Sequence, residues 1–469
     1  MIPLVEIPEI VRHYESFFVS VFSPEAFEQF KRYISGLLVS ENKTVEGINQ
    51  LFVIDVRNQS SLNRFLTESP FSPEKLNRAR LNMLSSQPAT RLKPMGVLSL
   101  DDTLLEHVGE DFDKIAYLWD HTKKHYVYAH NLVNLHYSDD ETDFPVNFRL
   151  WEPAETEVLE AGFKAAGIPI RADKYLLKEN APKKWRSYLV HLWARYQKNP
   201  EIQKLYQSKL LLAQDLLTQV YAEHKYLNLA ITFDNWYTQP SLCTFLHKTL
   251  KVPYVGTLAG ADKIILASGE KRLDEFALHL KREHQEAVEK RGTPVFQKIT
   301  IPYKGEKETY YSYCRTHRIK NFGKQRLVIN HREADLSDAG IFFISNKLNW
   351  SSVGITRIRR HRWPVEVFHE EGKDEGLDQY QVRDFGAINK HIALVAVTYS
   401  LLKVAQHDKA LIHKLQRTVK DTLAGSLGYW RRNTQAQALW ALATFIATGI
   451  SQGEPLSKVM APLLTAFSQ

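Results

Sequence analysis

The chain has 469 residues, of which 44% are hydrophobic and 11% aromatic, so it is long enough for two or three domains with buried cores. Its 61 Lys+Arg against 53 Asp+Glu give a net charge of +8, which suits a polyanionic partner but also occurs in proteins without one. Two cysteines, Cys243 and Cys314, exclude a disulfide framework and a four-cysteine zinc site. No run of about 18 consecutive apolar residues occurs, and Glu6 and Glu9 stand where a signal peptide would carry cations. We therefore expect a cytoplasmic protein that contacts no membrane.

The first 92 residues have the pattern of α-helices. Phe27, Phe30 and Ile34 recur at helical spacing, which indicates one buried helix face. Ser72 followed by Pro73 is a typical helix start, because serine caps the free amides and proline suits the first turn. We expect a helical N-terminal region.

After residue 92 the pattern changes from helical to strand-like. MGVLSLDD is a short apolar run that ends in two aspartates, and HYVYAHNLVNLHY and VNFRLWEP follow as two further strands, which together predict a meander. Residues 201–224 read as one long amphipathic helix, and ITFD then gives a strand that also ends in an aspartate. A helix between strands is typical of an α/β core.

Residues 262–340 are charged and alternating, which predicts a β-rich insertion. IFFISN then returns to a core-like strand, and helices dominate from Pro364 to the end. The chain shows no repeat of fixed period, which argues against a solenoid or a propeller.

Acidic residues at the strand ends are the main chemical signal. Asp101 and Asp102 close one strand, Asp234 closes another, and a later helix offers Glu366 with Glu370. Carboxylates from such elements can converge on two divalent metals about 3.5–4 Å apart and act on a phosphodiester. The alternative for each aspartate is a turn or helix-cap role. Trp236, close to Asp234, is expected either to pack in the core or to stack on a base.

An arginine-rich run lies directly before the acidic helix. Pro364 fits the first helical position, so the residues from Arg357 to Arg362 should precede the helix and line the approach to its N-terminus. Helix N-termini favour anions, and arginines bind phosphates. A site that handles a DNA backbone would need these cations beside its acids.

The same residues resemble a known signature. RIRRHRWPVEVFHEEGKDEGLDQYQVR resembles the Tyr-x2-Arg-x3-Glu-x6-Lys segment of DDE transposases from bacterial insertion sequences, with Arg362, Glu366 and Lys373 at the matching spacing. Arg359 stands where that group has tyrosine. LSLDDT and ITFDNWYT are similar to the strands that carry its two aspartates, and NKHIAL to the helix after the signature.

The resemblance implies an α/β fold with a ribonuclease H-like catalytic core, a β-rich insertion, and helical N- and C-terminal regions. The expected domains are a helical DNA-binding region (1–92), the first part of the core (93–261), the β-rich insertion (262–340), the second part of the core with the signature helix (341–410) and a helical C-terminal region (411–469).

The resemblance also implies the roles of the site residues. The catalytic and metal-binding residues would be Asp101, Asp234 and Glu366, with Asp102 as the alternative first acid. Asp101 is preferred because it gives an Asp-x-Thr pattern, which leaves Asp102 and Thr103 as turn or cap residues. The DNA-binding residues would be Arg359, Arg362 and Lys373.

The implied function is DNA transposition. The cofactor would be Mg²⁺, for which Mn²⁺ can substitute, and the partners would be the terminal inverted repeats and target DNA, with a homodimer in the DNA complex. Two alternatives stay open: a structure-selective, metal-dependent nuclease without strand transfer, and a non-catalytic DNA-binding derivative.

Overall fold

The computed structural model describes residues 2–416 and 426–465. The N-terminal region is helical, as predicted, and Ser72 Oγ accepts a hydrogen bond from the Lys75 amide at the start of its last α-helix, with Pro73 as first helical residue. The helices are α1 (Glu9–Tyr14), α2 (Pro24–Val39), α3 (Val45–Asn49), α4 (Ser60–Thr67) and α5 (Pro73–Ser85).

Four strands follow: β1 (Val97–Glu106), β2 (Ala116–Asp120), β3 (His125–Ser138) and β4 (Asp143–Trp151). β1 is antiparallel to β3 over its whole length, from Val97 opposite Ser138 to Glu106 opposite Ala129. The two aspartates therefore lie inside β1, and the predictions that the strand ends there and that Asp102 and Thr103 are turn or cap residues are wrong. Pairing with β3 holds these polar residues in the strand.

A helical segment, residues 156–207, separates β4 from the next core helix. It contains α6 (Thr156–Ala165), α7 (Leu176–Asn180), α8 (Pro182–Tyr196) and α9 (Pro200–Gln203), and α10 (Lys209–His224) follows. The prediction of one helix over 201–224 is wrong, because Ser208 starts a new helix by accepting a hydrogen bond from the Leu211 amide. The segment has a small core of its own that includes Leu159, Phe163 and Trp185. The sequence pattern did not predict this separate unit.

The centre of the sheet is completed by β5 (Ala230–Phe233) and β6 (Tyr254–Leu258), with α11 (Pro240–Thr244) between them. β5 is parallel to β1 and β6 is parallel to β5. The strand order β4-β3-β1-β5-β6, with the first three strands antiparallel and the last two parallel to β1, is a ribonuclease H-like core. The predicted fold class is confirmed.

The chain between residues 262 and 345 extends the same sheet. It contains β7 (Lys263–Leu266), β8 (Gly269–Arg272), α12 (Leu273–Glu289), β9 (Gln297–Tyr303), β10 (Glu306–Ile319), β11 (Gly323–His331) and β12 (Ile341–Ser345). β12 lies antiparallel between β6 and β11, so the sheet passes from the core into the insertion without a break. The helix α12 was not expected in a β-rich insertion.

The remaining described residues form six helices: α13 (Ser352–Arg360), α14 (Trp363–Asp374), α15 (Phe385–Ala405), α16 (Lys409–Gln416), α17 (Leu427–Ser451) and α18 (Leu456–Thr465). The arginine run precedes the signature helix, as predicted, but most of it forms the separate helix α13. Pro364 is the second residue of α14 rather than the first. By length and composition, α15 is apolar enough to cross a membrane, yet 78% of its most apolar stretch is buried inside the protein.

The N-terminal helices and α15 share one core. Arg80, on α5, is fully buried and donates hydrogen bonds to Ser400 Oγ at 2.8 Å and to the carbonyl of Pro145 at 2.7 Å. Tyr33, on α2, is hydrogen-bonded to His391 on α15 at 2.7 Å. Buried hydrogen bonds of this kind require close packing, so residues 1–92 lie directly against the core.

Candidate active site

Strand register brings the two predicted aspartates together. Parallel pairing of β1 with β5 sets Leu100 opposite Phe233, and each aspartate is the next residue along its chain. Asp101 therefore lies beside Asp234 at the point where β5 ends. The backbone holds Asp234 in a tight turn, because its carboxylate accepts the Tyr237 amide at 3.0 Å and its carbonyl accepts the Thr238 hydroxyl at 2.6 Å.

Arg362 joins the first strand to the signature helix. It lies between α13 and α14; its Nη1 donates to Asp101 Oδ2 at 2.9 Å, and its Nη2 donates to Glu366 Oε1. The position of this arginine is fixed through His361, whose carbonyl accepts a hydrogen bond from Ser99 on β1 at 2.9 Å, while its ring is 2.9 Å from the Ser138 hydroxyl on β3. The buried histidine therefore anchors the junction of α13 and α14 to the sheet.

The charges at this site are unevenly balanced. Burial raises the pKa of Asp101 to about 7, although Arg362 lowers it, and the charges of Asp234 and Asp102 raise it further. Burial also raises the pKa of Asp234. A carboxylate with a raised pKa gains from any additional cation nearby. The cluster is thus suited to bind more positive charge than Arg362 supplies.

Asp102 belongs to a different group of contacts. Successive side chains of a strand point to opposite faces, and Asp102 points away from Arg362. Its carboxylate accepts hydrogen bonds from the Tyr237 hydroxyl at 2.8 Å, Asn131 at 2.5 Å and the Lys209 ammonium at 3.1 Å. Both oxygens therefore have partners, whereas Asp101 faces Arg362 with Glu366.

The other predicted DNA-binding residues lie at different distances from the acids. Arg359 donates to the Thr257 hydroxyl at 2.9 Å, and burial lowers its pKa to about 10, to which the nearby charge of Arg362 contributes. Lys373 lies two turns of α14 beyond Glu366 and forms no ion pair within the residues that the structure describes. Arg359 is thus part of the charge cluster, and Lys373 is not in contact with it.

Comparison with known families identifies the chain. A sequence model described as "DDE superfamily endonuclease" matches residues 17–264, which is more than half of the chain. The chain belongs to the DDE superfamily of endonucleases. The matched residues of this DDE endonuclease include Asp101 and Asp234 and end before Glu366.

Other comparisons are weaker. The structure of a piggyBac transposase synaptic complex with hairpin DNA is similar over 93% of this DDE endonuclease and 81% of that chain, with 13% identity and a TM-score of 0.37. No curated protein sequence matches the chain.

The residues of the site suit a divalent metal by their chemistry. Carboxylate oxygens are the ligands that Mg²⁺ prefers, and Asn134, opposite Asp101 in the ladder, is buried with both amide atoms lacking a hydrogen-bond partner. Within the described residues, no three His, Cys, Asp or Glu side chains form a group that could hold a metal. Arg362 accounts for part of this, because its guanidinium stands between Asp101 and Glu366. Asp101, Asp234 and Glu366 are the residues that would hold the ion.

Several contributors to the site were not predicted. Lys209 starts α10 and lies 4.1 Å from the Trp236 ring, and this tryptophan is 42% exposed, so it does not pack in the core. Tyr237 donates hydrogen bonds to Asp234 and Asp102, and His361 is hydrogen-bonded to Ser99 and Ser138 of the sheet. Lys209 and Tyr237 each stand beside a recognisable signal, the helix cap at Ser208 and the strand-end aspartate, but nothing in the sequence distinguishes His361 from a surface histidine.

Proposed function

We propose that this DDE endonuclease is a DNA transposase that cuts at the terminal inverted repeats of its element and joins the 3′ ends to target DNA. The observation that supports the proposal is the contact of Arg362 with Asp101 and Glu366, with Asp234 adjacent to Asp101 in the sheet. Gathering acids from β1, the end of β5 and α14 at one partly buried site has a cost for folding. A phosphodiester-transfer site gives these residues a common role, because it uses carboxylates for metal ions and cations for phosphates.

Each residue has a proposed role. Asp101, Asp234 and Glu366 would hold Mg²⁺, or Mn²⁺ in its place, and Asp102 is the alternative first acid. When bound, such ions activate the attacking oxygen and stabilise the leaving oxygen of a phosphodiester. Arg362 and Arg359 would bind the phosphates beside the scissile bond, and Lys373 a phosphate further along the same DNA end.

The remaining proposals concern origin and organisation. The spacing of Arg362, Glu366 and Lys373 supports assignment to the bacterial insertion-sequence group with the Tyr-Arg-Glu-Lys signature. We assign DNA end binding to the helical region 1–92 and catalysis to 93–261 and 341–410. The insertion 262–340 and the C-terminal region 411–469 flank the second part of the core, and we assign them no separate activity. A homodimer would hold two element ends, and the protein would act in the cytoplasm.

The test uses the full chain with labelled DNA carrying the inverted repeats that flank its gene, unlabelled target DNA and Mg²⁺. Joined products support transposition. Cut ends without joining would favour the structure-selective nuclease, and binding alone would favour the non-catalytic derivative.

Glu366→Gln gives a matched control. The change removes a metal-ligand charge and keeps every cation, so strand cleavage should disappear while binding of the DNA ends stays within about twofold of wild type. Full cleavage by this variant, or by the wild type in EDTA, would refute the proposed metal site.

A further inference from the structure

A short segment outside the candidate active site is strongly basic. Residues 171–209 contain ten Lys or Arg and three Asp or Glu, a balance of +7. Most of these charged residues lie in the helical segment 156–207, to which the proposed function assigns no contact with DNA. Like charges placed so densely repel one another, and so their position calls for a partner of opposite charge.

The helix α8 shows this concentration best. It carries four Lys or Arg and no Asp or Glu. Its apolar residues, such as Trp185 and Leu189, are buried in the core of the helical segment. Lys183, Lys184 and Arg186 are exposed. None of the three forms an ion pair with an acid in the part of the chain that the structure describes. The outer side of α8 therefore carries three cations that have no acid within ion-pair distance in the described residues.

Exposed aromatic rings lie next to these cations. Tyr117 and Trp119 on β2 are each 40% exposed, and Tyr126 on β3 is 50% exposed. The register sets Trp119 opposite Tyr126 and Tyr117 opposite Tyr128, so the rings share one face of the hairpin. Tyr117 stacks on Tyr126 with centroids 5.2 Å apart, and Trp119 meets Tyr126 edge-on at 5.1 Å.

One lysine joins the two features into a single surface. The Lys183 ammonium lies 3.8 Å from the Tyr117 ring centroid and 5.1 Å from that of Tyr126. We call Tyr117, Trp119, Tyr126, Lys183, Lys184 and Arg186 the basic aromatic surface. The basic segment ends at Lys209, which contacts Asp102, the neighbour of Asp101 in β1, at 3.1 Å.

We propose that the basic aromatic surface binds single-stranded DNA next to the cleaved end, with phosphates on Lys184 and Arg186 and unpaired bases on Trp119 and Tyr126. This inference rests on the proposed function. Cations beside exposed aromatic rings are the combination that binds single strands, because rings stack only on bases that are not paired. Cross-strand aromatic pairs also stabilise hairpins, but that role does not account for the cations on α8.

The test measures binding of the full chain, in EDTA, to a labelled duplex and to the same duplex with a single-stranded tail of about 12 nucleotides, across a range of salt concentrations. The test variant carries Lys184→Gln and Arg186→Gln. The matched control carries Arg282→Gln on α12 and Lys290→Gln directly after it, which remove the same charge from exposed positions.

The test variant should bind the tailed DNA roughly tenfold more weakly, with a salt slope shallower by about 1.4, as for two single-strand phosphates. The control should match the wild type. Trp119→Leu should remove the preference for the tailed over the plain duplex, and Tyr126→Phe, which keeps the ring, should retain it. All four proteins should melt like the wild type, because the changed side chains are exposed or keep an apolar contact.

Equal binding of tailed DNA by the test variant and the control would overturn the inference and leave the surface to an acidic protein partner. Failure of the wild type to bind either DNA would overturn the proposed function as well. Normal cleavage by Glu366→Gln together with weak tail binding by the test variant would refute the catalytic assignment alone and support this surface.

Discussion

Replacing Asp101 by asparagine should stabilise the protein while abolishing cleavage. Burial and the neighbouring acids raise the pKa of Asp101 from 3.8 to about 7, so the folded state holds this proton more tightly than the unfolded state. That rise in pKa corresponds to about 4 kcal/mol of unfavourable free energy once the carboxyl group is ionised in the fold. An amide resembles the protonated acid and avoids this cost.

The effect has a definite pH dependence. Because the folded pKa is raised, the wild type keeps its full stability below about pH 4 and loses it progressively as the pH rises to about 7. Asp101→Asn should therefore match the wild type at pH 4 and exceed it at pH 8. Allowing for relaxation of the site, we expect a gain of about 2–3 kcal/mol, or about 2–3 °C in melting temperature for a chain of this length.

Asp102→Asn is the matched comparison. Asp102 accepts hydrogen bonds from Tyr237, Asn131 and Lys209, so removing its charge leaves a lysine without its partner and should cost about 1–3 kcal/mol. The measurement is thermal unfolding of both variants and the wild type in EDTA at pH 4, 6 and 8. A destabilised Asp101→Asn protein at pH 8, or a difference from wild type that does not change with pH, would refute the reasoning.

Two further predictions follow from the charge contacts. Arg362→Ala should abolish strand cleavage and make the salt dependence of DNA-end binding shallower by about one phosphate; an unchanged slope with normal cleavage in a DNA-binding and cleavage assay would contradict its proposed role. Asp143→Asn should lower the free energy of unfolding by about 3–5 kcal/mol at pH 7. Burial raises the pKa of Asp143, but Lys403 and Lys304, at 3.0 and 2.9 Å, outweigh it, so the pKa lies well below its usual value. That stability is present above about pH 4 and disappears below it, so denaturation curves should converge in acid, whereas the exposed control Asp140→Asn should cost less than about 1 kcal/mol at either pH.

Local signals in the sequence predicted much of the fold. Ser72 with Pro73 gave the start of α5, and the strand that ends before Asp234 lies where expected, because caps and strand ends depend on neighbouring residues. The extent of β1 was not predictable in this way. Two adjacent aspartates disfavour a strand, and only the long partner β3 keeps Asp101 and Asp102 in one.

The helical segment 156–207 and α12 show a second limit. The break before α10 depends on Ser208, which is visible in the sequence but competes with an uninterrupted apolar pattern around it. The separate core of α6–α9 arises from which helices meet, and periodicity does not report that. For the same reason the sequence predicted that the acids would lie close together, but not that Arg362 would contact Asp101 and Glu366. The contacts of Lys209, Tyr237 and His361 were not predicted.

The crowding of arginines beside acids has a physical consequence for how metal and DNA binding are related. In the protein alone, Arg362 donates hydrogen bonds to both Asp101 and Glu366. A DNA phosphate would compete with these carboxylates for the guanidinium, and a divalent cation would compete with the guanidinium for the carboxylates. When a phosphate takes the guanidinium, the carboxylates become free to bind a metal ion. When a metal ion takes the carboxylates, the guanidinium becomes free to bind a phosphate. Because linkage is reciprocal, metal and DNA should then each raise the affinity of the site for the other, and an arginine shared with two acids would be the reason that neither binds as well alone.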